Sequence, residues 1–441
     1  MKYSAQIQAA IEILKDMAEN HRPADRVIAY YFKQNRYIGG KDKKAISESV
    51  YGVLRHRGFL DWALEGVGVP LSPRTRLASW LLLRQGEKDL RTIFDGDKYA
   101  PQKLWRTEKP LIEIKKFVSQ NKKDMPFSAR FNMPEWLAPM LQEAIPDDLP
   151  KLATAMTEQA PADLRINTLK TNKETLQKNL EDEGCQLSVA PFVANALRLV
   201  ERKNLFAFEA FKQGFFEVQD TGSQLIAALC DAEPGHKVTD FCAGAGGKTL
   251  ALAAQMENKG MLTAADIIPP KLAELKKRLK RAGVDNTTLK ELSSESDNWV
   301  KRHKSTQDVV LLDVPCSGSG VWRRNPDAKW NLTPEGLEEL CQIQQRILRS
   351  ASRLVKKGGR LVYATCSLLP PENQHQIQTF LADMNQFKII PATQVWQKLE
   401  ASGKLNEPCP AQAITPEGCL QLRPDTTNTD GFFITIMERV E

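Results

Sequence analysis

The sequence predicts an α/β fold: a parallel sheet covered by helices on both faces, preceded by helical and α+β segments. Three observations predict it. From residue 237 onward, apolar strand-like runs alternate with amphipathic helical ones, the order that builds parallel sheets. The first run ends in a glycine-rich turn, "VTDFCAGAGGKT" (238–249). Two later runs each end at a cysteine in a proline-bearing loop, "LLDVPCSGSG" (311–320) and "LVYATCSLLPPEN" (361–373).

The elements follow in chain order. Residues 1–120 read as helices, with apolar residues at helical spacing in "AAIEILKDMAE", "ISESVYGVLRHRGFLDWALEGV" and "RTRLASWLLLRQG". Gly39-Gly40, Pro70 and Pro110 punctuate them, which predicts an all-α domain over 1–125. Pro126, Pro134, Pro146 and Pro150 limit helix length in the next stretch, and 162–200 reads strand, helix, strand. Residues 126–225 are therefore expected to be a linker and a small α+β module, and 226–441 the α/β domain. Its strands are predicted at 237–242, 261–266, 308–313 and 360–365, and its helices include 247–256, 269–282 and 334–356. A closing strand pair is expected near 387–390 and 432–438.

At 441 residues the chain exceeds one ordinary core. No apolar run approaches a membrane span, and the first twenty residues read as an amphipathic helix rather than a signal peptide. The eight cysteines form no C-x-x-C pair and no histidine cluster accompanies them. That pattern argues against a zinc site or disulfide framework and fits a reducing, cytoplasmic setting. The net charge of +7 is unevenly spread: residues 1–125 hold 24 Lys+Arg against 15 Asp+Glu, and the remainder 37 against 39. A basic helical segment points to a polyanion such as nucleic acid; the alternative is a solvated basic face.

The glycine-rich turn follows a strand and opens a helix, the geometry that brings backbone close to a cofactor. A phosphate-binding P-loop would need glycine at Cys242, and a dinucleotide G-x-G-x-x-G fails at Lys248-Thr249. What is left is an S-adenosylmethionine loop over Cys242, Ala243, Gly244, Ala245, Gly246, Gly247 and Lys248, or a tight packing turn. The first reading requires an acid at the end of the next strand to bind ribose hydroxyls, and Asp266 stands there.

Parallel strands deliver their carboxyl ends to one edge, so Asp313, Cys316 and Cys366 are expected beside that loop. A methyl donor and a thiol together suit one chemistry. Carbon 5 of a pyrimidine is a poor nucleophile until a thiolate adds at carbon 6, and an acid beside the ring favours the electron shift. Cys185, Cys230 and Cys341 read as small buried hydrophobes. Cys242 reads as a residue that shapes the turn, and Asp313 alone is also consistent with a turn cap.

"LLDVPCSGSGVWRRNPDAKW" and "LVYATCSLLPPEN" resemble the signature segments of the Sun-type (Nol/Nop/Sun) RNA cytosine-5 methyltransferases. "GFFEVQDTGSQL" (214–225), "LRINTLK" (164–170) and "TDGFFITIM" (429–437) resemble other parts of that family. "ESVYGVLRHRGFLDWAL" (48–64) is similar to the NusB-like domain of the bacterial members that act on 16S ribosomal RNA. The resemblance implies a Rossmann-like class I S-adenosylmethionine methyltransferase domain preceded by an all-α NusB-like domain and a small α+β module. It implies a monomer acting on ribosomal RNA, with transfer RNA, or an RNA-binding protein of weak turnover, as alternatives. It makes Cys366 the nucleophile, Cys316 the thiol that assists product release, and Asp313 the acid near base and cofactor. Lys248 closes the cofactor loop; Arg323, Arg324 and Asp327 support the RNA site. Three positions depart from the family pattern. Ala243–Lys248 reads Ala-Gly-Ala-Gly-Gly-Lys where Ala-Ala-Pro-Gly-Gly-Lys is usual, which predicts a looser loop. Ser293 or Ser294 stands where an acid usually contacts adenine, and Gln374 replaces a glutamate.

Overall fold

The computed structural model describes residues 1–20 and 22–441. They form two compact units, residues 1–159 with 322–332, and residues 160–321 with 333–441.

The first unit is helical. Tyr3–Asn20, Gly40–Arg55, Arg57–Gly66 and Pro73–Leu83 supply most of its core, with Ile7, Ile13, Ile46, Leu60, Leu64 and Leu77 fully buried. Ser72 caps the helix that Pro73 opens, and Thr75 returns the hydrogen bond, so two otherwise orphaned amides are satisfied. Gly52 lets helix Gly40–Arg55 meet Trp80; a Cβ there would lie 2.4 Å from the indole ring. The helical unit extends to Gln159, where the sequence placed its end near residue 125. The prolines start short helices rather than a linker: Pro126 precedes Phe127–Phe131, Pro134 precedes Glu135–Leu137, and Pro150 sits in the first turn of Leu149–Thr157, where the missing N–H costs nothing.

Trp322–Leu332 joins this unit from far along the chain. Asp327 accepts from the Ala24 amide at 3.2 Å, and Trp330 Nε1 donates to the Leu54 carbonyl at 3.2 Å. Gly58 makes room for the Trp330 ring.

The second unit opens with a small antiparallel sheet. Its strands are β1 (Ala162–Ile166), β2 (Leu187–Val189), β3 (Ala196–Leu199) and β4 (Phe216–Val218), in the order β2-β3-β1-β4. Helix Lys173–Asp182 buries Leu176 and Leu180 in the core under this sheet. The large sheet follows, with β5 (Lys237–Asp240), β6 (Met261–Asp266), β7 (Thr287–Glu291), β8 (Gln307–Asp313), β9 (Val355–Thr365), β10 (Phe387–Ile390), β11 (Leu420–Leu422) and β12 (Phe432–Arg439). Its order is β10-β12-β9-β8-β5-β6-β7, with β11 also on β12. Strands β5 to β9 run parallel, and β12 lies antiparallel to β9. Strand order reverses between β5 and β8, the crevice where ligands bind in such sheets.

The expected α/β class is therefore present, with differences in detail. The helix expected over 334–356 ends at Ala351, and β9 begins at Val355. Gly358, at φ 72°, takes a left-handed conformation within β9 that other residues resist. Strand β7 was not expected: "TTLKE" is half-exposed at the sheet edge and carries little apolar signal.

Candidate active site

The loop after β5 builds one wall of a cavity of about 370 Å³ at the switch point. Cys242, Ala243, Gly244, Ala245, Gly247 and Lys248 line it. Gly246 does not; at φ 85° it makes the turn, and a Cβ would lie 2.0 Å from Leu275. Asp266, at the end of β6, fixes the loop's far side. Its Oδ2 accepts from the Gly244 amide at 2.7 Å and its Oδ1 from the Ile268 amide at 2.8 Å.

The absent proline is compensated by cations gripping the loop carbonyls. Arg278 Nη1 donates to the Ala245 carbonyl at 2.7 Å, and Arg165 Nη1 donates to the Gly247 carbonyl at 2.5 Å. Glu217 holds Arg278 and Arg281 in turn. The loop is thus tied to β1 and to helix Pro269–Ala282, against the looseness its sequence predicts. Arg165 and Arg278 are functional candidates that sequence reasoning missed. Only the quoted "LRINTLK" gave any signal for the first, and nothing local marked the second.

Asp240, in β5, was also missed. Thr249 Oγ1 donates to its Oδ2 at 2.7 Å, while its buried Oδ1 has no hydrogen-bond partner among the described residues and the side chain lines the cavity. Burial raises its pKa to about 7, and Asp313 and Asp266 add to the rise. Such a group stabilises the fold below the ordinary carboxylate range and loses that contribution as pH rises through its folded value. Asp240→Asn is therefore expected to flatten part of the decline in stability between about pH 4 and 7. Urea melts of both proteins across that range check this, and parallel pH profiles would remove Asp240 as the cause.

These features fit S-adenosylmethionine. Asp266 retains lone pairs for ribose hydroxyls, Ile267, Ile268, Leu292 and Ile347 supply apolar walls for an adenine, and the unpartnered Asp240 oxygen suits a cationic methionyl end. Ser293 does not line the cavity: its amide and hydroxyl both donate to Asp297 at 3.0 and 2.9 Å. Leu292 and Glu295 line it instead. Burial, with Asp240, Asp313 and Asp266 nearby, pushes the Cys242 thiol well up, so it stays neutral.

The two signature cysteines do not line the cavity themselves but meet beside Asp313 and Pro315, which do. Cys316 follows β8 and Cys366 follows β9; parallel pairing of these strands delivers both loops to one edge, where the two sulfurs lie 3.3 Å apart. Asp313 ends β8 and pairs with Lys248 at 2.6 Å. Burial works against the buried Lys248 ammonium, but Asp313 outweighs it and the pKa rises. The Cys316 thiol is pushed far up, first by its hydrogen bond to Cys366, then by burial, and further by the charges of Cys366 and Glu372. The loop between Cys316 and the helical segment is pressed onto Gly431, just before β12: the Gly431 amide donates to the Gly320 carbonyl at 2.9 Å, and a Cβ on Gly320 would lie 2.1 Å from the Gly431 oxygen.

Arg323, Arg324 and Asp327 do not line the cavity; they belong to Trp322–Leu332 in the helical unit. Among the described residues no group of three or more His, Cys, Asp or Glu could hold a metal ion, and no helix is long and apolar enough to cross a membrane.

Comparison with known proteins agrees with this geometry. Residues 227–438 match the model of the family described as 16S rRNA methyltransferase RsmB/F, and residues 133–205 match the RsmF/B-like ferredoxin-like domain. The chain is 28% identical to a probable ribosomal RNA small subunit methyltransferase B of Synechocystis, over 98% of this chain and 99% of that protein. It is 30% identical to ribosomal RNA small subunit methyltransferase B of Proteus mirabilis, over 79% of this chain and 85% of that one. Among solved structures, PH0851 matches with a TM-score of 0.78 at 26% identity, covering 99% of each chain. A methyltransferase homolog protein from Pyrococcus horikoshii matches with a TM-score of 0.60 at 29% identity, over 71% of this chain and 97% of that one. By fold, cavity and descent, the chain belongs to the S-adenosylmethionine-dependent 16S rRNA methyltransferase RsmB/F family.

Proposed function

We propose that the protein methylates carbon 5 of a cytosine in 16S ribosomal RNA, with Cys366 as nucleophile and Cys316 as the thiol that completes the reaction. The single observation that carries this reading is the pair of sulfurs 3.3 Å apart at the ends of two adjacent parallel strands, beside the Lys248–Asp313 pair.

The target base must first leave its stack. The Cys366 thiolate then forms a bond to carbon 6, and the ring double-bond electrons move onto the N3–C4 edge. Asp313, held by Lys248, accepts from the exocyclic amine and orients that edge. When bound, S-adenosylmethionine supplies the methyl group as an electrophilic carbon for carbon 5. Once the Cys366 sulfur is a thioether, Cys316 no longer faces a thiol or thiolate; it gives its own proton to solvent and takes the proton from carbon 5. The freed electron pair restores the carbon 5–carbon 6 double bond and expels the Cys366 thiolate.

Bisulfite sequencing of RNA from cells with and without the gene tests the product. The expected result is one protected cytosine in 16S ribosomal RNA that disappears with the gene. A lost site in transfer RNA instead would reassign the substrate, and no lost site would overturn the carbon 5 chemistry.

The helical unit offers a place for RNA phosphates. Arg84, Lys115, Lys122 and Arg130 surround a cavity of about 660 Å³ floored by Phe59, Val118 and Phe131, and no Asp or Glu is among the described residues lining it. Among the described residues none of the four has an ion-pair partner; Lys115, for example, donates to the Glu87 carbonyl. Burial, then the nearby Arg84, Lys329 and Arg55, push the adjoining His56 down to about 4, so Arg84 meets a neutral ring at 2.8 Å. Replacing all four cations by glutamine is expected to weaken RNA binding and reduce the slope of log affinity against log salt by about 3. Filter binding from low to moderate salt reads this. An unchanged slope would make the cluster a solvated face.

A further inference from the structure

The thiols sit in loops beyond the sheet ladders, so something other than strand pairing must fix the distance between them. Between the two loops lies Glu372, whose side chain is fully buried and has no ion-pair partner among the described residues. Its Oε1 accepts from the Ser317 amide at 2.8 Å and from Gln344 Nε2 at 3.0 Å. Its Oε2 accepts from the hydroxyls of Ser317 and Ser367, each at 2.5 Å. Ser317 directly follows Cys316, and Ser367 directly follows Cys366. One carboxylate therefore grips the residue after each thiol.

The surroundings extend the grip. Gln344 Nε2 also donates to the Pro315 carbonyl at 2.9 Å, on the other side of Cys316. The Gly320 amide donates to the Cys366 carbonyl at 2.9 Å. Ser319 Oγ meets Ser367 Oγ at 2.9 Å and accepts from the Leu368 amide at 2.7 Å. Tyr363 Oη donates to the Glu372 carbonyl at 2.7 Å and holds its backbone. A buried carboxylate is costly unless its oxygens are satisfied. Here four donors satisfy it, and all four come from the two thiol loops and the helix behind them. Packing alone would be served more cheaply by an apolar side chain.

We propose that Glu372 is a positioning residue that sets the separation and orientation of the Cys316 and Cys366 sulfurs by clamping the serine after each. The use of that geometry in catalysis rests on the two-thiol reading above.

The test uses the full-length protein and dibromobimane, which fluoresces when it bridges two nearby thiols; peptide mapping identifies the bridged pair. The wild type is expected to bridge Cys316 to Cys366. Glu372→Ala is expected to slow that bridging at least tenfold and lower kcat at least tenfold, with KM for S-adenosylmethionine changed less than twofold. Glu372→Gln keeps the shape and one acceptor, and is expected to fall between. The double variant Ser317→Ala/Ser367→Ala keeps the carboxylate but removes what it grips, and is expected to reproduce the loss of bridging. If Glu372→Ala does not fold, this double variant decides by the same readouts. A folded Glu372→Ala or double variant that bridges at the wild-type rate overturns the clamp. An active Cys366→Ala would instead overturn the two-thiol reading, and the bridging rates would still decide the clamp.

Discussion

Cys366→Ala is expected to abolish methylation, a fall of at least about 10³-fold, and to form no covalent complex with RNA. Cys316→Ala is expected to behave oppositely. Its Cys366 still attacks and the methyl group is still acquired, but the carbon 5 proton has no acceptor and the adduct persists. The protein should then run as a protein–RNA species on a denaturing gel, with S-adenosylmethionine required for its accumulation. Trapping by Cys366→Ala instead would exchange the roles. Full activity in both variants would leave the 3.3 Å sulfur contact as packing. The raised pKa of Cys316 adds detail. While Cys366 is free, Cys316 is the partner that keeps its proton, so alkylation of the resting protein is expected to label Cys366 first.

Loss of cofactor binding is the second large effect. Asp266→Ala removes the acceptor of the Gly244 and Ile268 amides as well as the group that fits ribose hydroxyls. Hydrogen bonds to a charged group contribute roughly 1.5–3 kcal/mol each, so the Kd for S-adenosylhomocysteine is expected to rise by about 10- to 100-fold. Titration calorimetry measures this directly. Equal affinity in wild type and variant would move the ribose elsewhere in the cavity.

What could be read in the sequence followed from how locally each feature is specified. Strands β6 and β8 are short apolar runs ending in Asp266 and Asp313, so both run and acid show in a single window. The cysteines could be placed at one edge because parallel strands share a direction. Strand β7 lacked a signal because an edge strand buries little, and Thr287–Glu291 is mostly polar. The Glu372 clamp joins residues up to 55 positions apart, and no periodicity announces a contact of that range. The glycine loop shows the same limit from another side. Its sequence predicts looseness, yet Arg165 comes from 82 residues away to hold it. Position alone puts Ser293 where an adenine contact is expected, but Asp297, four residues on, uses its donors.

The origin of Trp322–Leu332 bears on how the protein comes to be folded. During synthesis the first 159 residues emerge long before residue 332. Until then the Ala24 amide lacks Asp327 and the Leu54 carbonyl lacks the Trp330 indole. N-terminal domains ordinarily fold first as they leave the ribosome; this one cannot finish until half of the catalytic sheet has been translated. The nascent helical unit therefore spends the interval with these partners missing, during which it is exposed to chaperones and to aggregation. The same wiring means that a fragment ending at residue 159 is not a complete domain, and a circularly permuted chain that supplied 322–332 early would be expected to fold its helices sooner.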